Sequence, residues 1–151
     1  MSDPREAIIS RLVDVIAETL GFENVSRNQL YGDDADENPA PQVSVLEGDE
    51  TPAAEQMPNN IPASAAQLIH MQPQVLLSNF DTSADVGTGL SASRAAIIKA
   101  VVADSTLNGL THKNTGGRYV GMESDLAFAR DALGRMALKF QFTYVLLPSQ
   151  L

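Results

Sequence analysis

The strongest constraint on the fold is a run of alternating residues close to the end of the chain. Twelve residues from Arg135 to Leu146 alternate without a break between large apolar side chains and mostly polar ones. The apolar members are Met136, Leu138, Phe140, Phe142, Tyr144 and Leu146. Because successive side chains of a strand point to opposite faces of a sheet, this period predicts one long strand with one apolar face.

A helix is predicted over about residues 4–20. Asp3 can cap its start, Pro4 suits the first turn, and Glu6 has the spacing of a capping box. Gly21 stands where a left-handed residue often ends a helix. The helical period also relates five apolar residues, which predicts one buried stripe: Ile8, Leu12, Val15, Ile16 and Leu20.

Shorter signals predict the remaining elements and the fold class. Strands are expected at Asn24–Asn28, Gln42–Glu47, Gln67–Phe80 and Arg118–Ser124. A second helix is expected to begin at Thr88 or Ser91, with Asp104 near its end and an apolar face of Leu90, Ile97, Ile98, Val101 and Leu107. Pro73 predicts that the third strand lies at a sheet edge or is interrupted there. The order α-β-β-β-α-β-β predicts an α+β fold, with a mixed or antiparallel sheet of about five strands and two helices packed on one face. The other face of the sheet must then meet water or another subunit.

Length and composition exclude several classes of protein. The chain has 151 residues, and residues 1–151 are predicted to form a single domain. The absence of cysteine excludes disulfides, thiolate nucleophiles and sulfur-ligated metals. No apolar stretch is long enough to span a membrane, and the acids near the N-terminus argue against a secretory signal. We expect a soluble, intracellular domain with no membrane partner.

Charge is distributed unevenly along the chain. The net charge is −9, yet no Lys or Arg occurs between Arg27 and Arg94. That stretch holds ten acids, namely Asp33, Asp34, Asp36, Glu37, Glu47, Asp49, Glu50, Glu55, Asp81 and Asp85. A field of this sign repels phosphates, which argues against groove-reading of DNA or RNA.

The segment with the most enzyme-like spacing is Gly87–Ala92, which matches G-x-G-x-x-A. In dinucleotide folds these glycines form a tight turn that directly follows a strand, and a pyrophosphate binds the helix N-terminus. Here Asp81–Val86 separate the motif from the nearest predicted strand, and no strand ending in an acid follows about twenty residues later. The alternative is a flexible loop that leads into a capped helix.

Other candidate chemistry also has a plain structural alternative. The acids of Asp33–Glu37 could gather around a hard cation, but they lack the EF-hand pattern, and a solvated loop explains them. His70 and His112 are too few for a typical zinc site without cysteine, and His70 is expected to be a strand residue. We therefore predict no catalytic residue, no metal, no cofactor and no enzymatic activity.

Six segments together suggest a family relationship: Gly117–Ala127, Met136–Leu151, Arg5–Leu20, Arg27–Asn28, Pro41–Asp49 and Ala103–Leu107. These segments resemble tail terminator and minor tail proteins of long-tailed bacteriophages and prophages. The resemblance covers about two-thirds of the chain, and Asp33–Asn38 and Thr51–Ala66 fall outside it.

The resemblance implies a structural protein of the virion. Members of this family have an α+β fold and assemble as hexameric rings that cap the tail tube, stop its polymerisation and meet the head connector. The implied partners are further copies of the chain, the tail tube protein and the connector or neck protein, and DNA passes through the lumen without specific binding. The implied location is the head-proximal end of the tail, reached by assembly in the host cytoplasm. A head-completion or neck protein is the alternative, followed by a small nucleotide-binding module and an unrecognised hydrolase.

Charged residues are the candidates for these interfaces: Asp33, Asp34, Asp36, Glu37, Glu47, Asp49, Glu50, Arg118 and Lys139. Acids that line the ring lumen would keep DNA from sticking, since like charges repel over a Debye length of roughly 10 Å. The alternative is that the same acids face solvent and keep the subunit soluble. The Gly48–Ala66 segment, rich in proline and small residues, is expected to be a mobile loop that either orders against the tail tube or acts as a plain linker.

Overall fold

A computed structural model describes residues 3–21, 25–28, 42–53, 62, 64–81, 87–124 and 133–151. Four of the candidate acids, Asp33, Asp34, Asp36 and Glu37, lie outside these residues, as do positions 54–61 and 63 of the predicted loop. Within the described ranges the α-helices are α1 (Pro4–Leu20), α2 (Gly87–Ala103) and α3 (Ser105–Leu110). The strands are β1 (Ser26–Arg27), β2 (Gln42–Pro52), β3 (Gln67–Asp81), β4 (Arg118–Ser124) and β5 (Leu133–Leu146). Short 3-10 helices occupy His112–Asn114 and Pro148–Gln150.

The five strands form one mixed sheet in the order β1-β2-β3-β5-β4. β1 runs parallel to β2, and the other neighbours are antiparallel. The two longest strands, β3 and β5, lie at the centre and pair from Gln67 opposite Leu146 to Asp81 opposite Leu133. The sheet with its packed helices confirms the predicted α+β class.

One face of the sheet forms the hydrophobic core together with the helices. The alternation predicted for β5 is confirmed, because Met136, Leu138, Phe140, Phe142 and Tyr144 are all buried. Their neighbours across the ladder are also buried, for example Met71 opposite Phe142 and Val75 opposite Leu138. The α1 stripe packs into the same cluster through Ile8, Ile9, Leu12, Val15 and Ile16, and α2 contributes Ile97 and Val101.

Asp3 and Gly21 cap α1 as the sequence predicts, whereas the Glu6 carboxylate accepts hydrogen bonds from Arg27 and Ser10. The Asp3 carboxylate accepts a hydrogen bond of 3.0 Å from the Arg5 amide. Gly21 adopts the left-handed conformation and donates its amide to the Ala17 carbonyl. The first and last residues of α1 are therefore set by these two caps, and the caps also set the length of its buried apolar stripe.

The expectation of an edge position for Pro73 is wrong, and the alternative of an interruption describes it correctly. β3 lies between β2 and β5, and the β2–β3 register shifts between Leu46 and Asp49. Two residues of β2, Glu47 and Gly48, thus oppose Pro73 alone, which is a β-bulge. The bulge interrupts the ladder where proline has no amide hydrogen to donate, so a central strand tolerates it.

Two predicted boundaries also need correction. β2 continues through the bulge to Pro52 and pairs there with Ile69, so the predicted loop cannot begin at Gly48. A third α-helix follows α2, because Asp104 is not helical and its carboxylate instead accepts a 2.9 Å hydrogen bond from the Leu107 amide. Asp104 is therefore the N-cap of α3, and the period that seemed to continue to Leu107 belongs to two helices.

Candidate functional site

The face of the sheet opposite the helices carries a band of polar side chains across β3 and β5. The Nδ1 atom of His70 lies 2.7 Å from the hydroxyl of Thr143. One step along the ladder, Gln72 donates to Gln141 at 3.1 Å. His70 is thus a strand residue, as predicted, and its described partner is a hydroxyl group.

Glu47 lies at the centre of an ion-pair cluster at the start of α1. Its Oε1 atom is 2.9 Å from Arg5 and 2.8 Å from Arg27, and Asn28 donates its side-chain amide to Oε2. Arg27 also binds Glu6, with two guanidinium–carboxylate distances of 2.6 Å. Hydrogen bonds from Asn28 and then from Arg27 hold the pKa of Glu47 below its ordinary value.

Glu50 joins this cluster to the end of β5. It lies 3.4 Å from Arg5 and accepts a hydrogen bond from the hydroxyl of Tyr144. Burial, followed by this contact with Glu50, raises the pKa of Tyr144 above its ordinary value. Two of the candidate acids, Glu47 and Glu50, therefore have basic partners within their own subunit and connect α1, β1, β2 and β5.

Asp49 differs from the two glutamates beside it. It pairs across the ladder with Gln72, which places it on the face opposite the helices, and it is exposed. Among the residues that the structure describes, no salt bridge involves Asp49. Of Glu47, Asp49 and Glu50, it is the one whose carboxylate has no ionic partner among the described residues.

The two candidate bases also differ in their surroundings. Lys139 lies 2.7 Å from Glu123 on the neighbouring strand, and this contact lowers the pKa of Glu123. Arg118 is exposed at the start of β4 and forms no ion pair with any described residue. It pairs across the ladder with Gln141, so it shares a face of the sheet with Asp49, and two strands, β3 and β5, lie between them.

A cleft of about 510 Å³ opens beside Arg118. Its wall combines side chains from β3, β4, β5 and α2 with the turn at Thr115–Gly117; they include His70, Val102, Arg118, Tyr119, Gln141 and Thr143. The Arg94 guanidinium lies 5.3 Å from the centre of the Tyr119 ring and donates to its hydroxyl at 3.2 Å. Tyr119 in turn packs edge-on against Phe140, with ring centres 5.8 Å apart. The cleft therefore has an aromatic wall that is anchored in the core.

The segment from Arg94 to Arg118 is basic, which the sequence analysis missed. It holds Arg94, Lys99, Lys113 and Arg118 against a single acid, Asp104, whose carboxylate is bound to Arg11. A count of charges in short windows, instead of over the two ends of the chain together, would have revealed it. The segment contributes Val102, Thr115–Gly117 and Arg118 to the wall of the cleft, and its charge is opposite to that of the acidic middle of the chain.

The glycines of Gly87–Ala92 do not form the turn that a dinucleotide site requires. α2 already begins at Gly87, so Gly87 and Gly89 both lie inside its first turn. In the dinucleotide fold the first glycine belongs to the turn that precedes the helix. This geometry gives the motif no support as a nucleotide site.

Metal-binding clusters and membrane-spanning helices are both absent from the described residues. These residues contain no group of three or more His, Cys, Asp or Glu side chains that could hold a metal ion. No helix among them has the length and apolar content needed to cross a membrane.

Comparisons with known proteins give no assignment. No protein-family model matches the chain, and a search of curated proteins finds no match either.

Proposed function

We propose that the protein is a structural virion assembly protein, a phage tail terminator that caps the tail tube as a ring and provides the interface to the head connector. The observation that carries the proposal is a sheet whose helices cover one face, while the other face has half-buried and exposed side chains such as Leu68, Gln72 and Gln141. A face of this mixed character suits contact with other subunits. The proposal includes no enzymatic activity and no cofactor.

The segments that resemble the tail family support the same proposal. Residues Gly117–Ala127 include all of β4, and Met136–Leu151 include most of β5, which is its antiparallel neighbour. Arg5–Leu20 falls within α1, which packs on the same sheet. The resemblance therefore concerns contiguous parts of one fold, although fold alone does not establish a function.

Fewer acids are available to repel DNA in the ring lumen than the sequence alone suggested. Glu47 and Glu50 are bound to Arg5, so their charges are largely compensated. We propose that repulsion of DNA in the lumen depends instead on Asp33, Asp34, Asp36 and Glu37.

The test is removal of the gene from the genome that carries it, followed by electron microscopy of the lysate. A terminator stops the tail tube at its correct length, so its loss is expected to give overlong tails without heads. Normal-length tails that fail to join filled heads would instead identify the head-completion or neck protein. Normal particles would contradict both functions, and restoration by the plasmid-borne gene is the control.

A further inference from the structure

We infer that the free edge of β4 in one copy pairs with the end of β2, residues Asp49–Pro52, in a second copy, so that the sheet continues from subunit to subunit. The inference deepens the proposed function and rests on it for the identity of the partner, a second copy of this chain. The position of the proposed contact is inferred from the two edges of the sheet and from their charges.

β4 is the longer exposed edge of the sheet. It is the last strand in the order β1-β2-β3-β5-β4, and in the described part of the chain no strand pairs with its outer side. Val120 and Met122 are 45% and 43% exposed on this strand, and Val102 of α2 beside it is 47% exposed. An edge strand with unpaired backbone groups and exposed apolar side chains is suited to pairing with another chain.

The opposite side of the sheet also ends in an unpaired stretch. β1 pairs with β2 at Ser44 and Val45 only, whereas β2 continues to Pro52. Asp49, Glu50, Thr51 and Pro52 pair with β3 on one side. Among the described residues no strand lies on their other side. In the described part of the chain, both edges thus have backbone groups without a strand partner, and strand addition uses such groups for affinity.

The two edges have opposite charge. Arg118 begins β4 and belongs to the basic segment that also contains Lys99 and Lys113. Asp49 belongs to a stretch of ten acids without a base. Neither Arg118 nor Asp49 has an ion-pair partner among the described residues, although several other charged side chains near them do.

Arg118 and Asp49 also share one face of the sheet. Arg118 is opposite Gln141 on β5, and Asp49 is opposite Gln72 on β3, and these two glutamines are hydrogen-bonded to each other. In a sheet that continues from copy to copy, side chains on one face remain on that face. In such a sheet β4 runs antiparallel to β2 of the next copy. Arg118 opposite Thr51 would then lie diagonally across from Asp49, a position that a long side chain reaches.

Contact between two different edges is heterologous, and such contacts close into rings when the rotation per subunit allows. The cleft beside Arg118 lies next to this contact, with Tyr119 and Val102 in its wall. It is positioned to receive a side chain of the incoming strand.

The experiment compares the sedimentation of the full chain with that of three charge variants across a range of concentrations. Arg118→Glu and Asp49→Arg each place like charges together, so each is expected to weaken self-association by roughly tenfold or more. The double variant Arg118→Glu/Asp49→Arg restores opposite charges and is expected to recover most of the wild-type association. Asp14→Arg is the matched control, since it makes the same reversal as Asp49→Arg at an exposed position of α1, outside both edge strands, and it is expected to associate like the wild type.

A second pair of variants tests the apolar part of the edge. Val120→Thr/Met122→Thr keeps residues that are compatible with a strand and is expected to weaken association. Leu151→Thr, which also replaces an exposed apolar side chain but lies outside both edge strands, is expected to leave association unchanged. Circular dichroism and thermal unfolding establish that each variant is folded.

Three outcomes would overturn the inference: a wild-type protein that never self-associates, single reversals that associate normally, or a double variant that fails to recover. The proposed function can fail separately. Rings that persist in the single variants would contradict this interface and leave the terminator role in place. Recovery in the double variant, together with normal particles after gene removal, would support the interface and contradict the role.

Discussion

Arg11 and Asp104 form a bidentate ion pair that joins α1 to the start of α3. The Nε and Nη2 atoms of Arg11 lie 3.0 and 2.8 Å from the two carboxylate oxygens of Asp104. The same carboxylate caps α3 by accepting from the Leu107 amide. One side chain thus begins a helix and fixes its position against the N-terminal helix, and the Asp104 side chain is only 13% exposed.

Two substitutions separate these roles of Asp104. Asp104→Asn keeps a good N-cap but removes the charge, so it should lower the free energy of unfolding by about 1–2 kcal/mol. Asp104→Ala removes the cap as well and should cost about 1 kcal/mol more. Urea unfolding monitored by circular dichroism measures both. Equal losses in the two variants would show that capping contributes nothing.

The stability that this pair contributes should depend on pH in the acidic range. Arg11 holds the pKa of Asp104 below its ordinary value, and burial only partly opposes this. A lowered carboxyl pKa stabilises the fold fully above the unfolded pKa, and that contribution is lost as the pH falls through the folded pKa. The difference between wild type and Asp104→Asn should therefore be constant near neutral pH and shrink below about pH 4. A difference that stays constant throughout acid titration would contradict this account.

Gly48 should be among the least replaceable residues of the sheet. It adopts a φ of +69°, and an added Cβ would lie 1.9 Å from the carbonyl oxygen of Gln72. Gly48→Ala should therefore destabilise the protein by about 2–4 kcal/mol, through left-handed strain and a backbone clash. Gly109→Ala is the control, because this exposed glycine of α3 has open space around it, and a gain of about 0.5–1 kcal/mol is expected from helix propensity. Thermal unfolding of the two variants should move in opposite directions.

Glu47 and Glu123 provide a matched comparison of two paired acids. The Glu47 side chain is 22% exposed and meets two arginines, whereas Glu123 is 74% exposed and meets Lys139 alone. Glu47→Gln should lower the free energy of unfolding by about 1–3 kcal/mol, since it leaves charges unpaired in a partly buried cluster. Glu123→Gln should lower the free energy of unfolding by less than Glu47→Gln does, as expected for an exposed pair. Denaturant unfolding compares them directly, and equal effects would contradict the structural role given to Glu47.

The elements with strong local signals could be predicted from the sequence. α1 has a cap at each end and one apolar stripe, and β5 has an uninterrupted period of two, so both were predicted closely. Pro73 was harder, because its central position depends on a bulge in β2, a strand distant along the chain. The role of Asp104 as an N-cap was not predicted, because the apolar residues on either side of it keep the spacing of one longer helix.

The candidate site was predictable only in part, because the sequence does not show which charged side chains form ion pairs in the folded protein. The sequence marks Glu47, Asp49 and Glu50 as one acidic segment. The fold brings Arg5 to the first and third of these and leaves Asp49 without a described ionic partner. Arg118 and Lys139 looked alike as isolated bases, and only the β4–β5 register shows that one has an acid beside it.

The most direct test of the account is the solution mass of the purified protein across concentration, with negative-stain images of the largest species. The account predicts a closed ring, hexameric as in the family that the chain resembles, in equilibrium with smaller forms. Tail tubes added to the sample should carry this ring at one end. A strict monomer at every concentration, which also fails to bind tail tubes, would contradict the central claim.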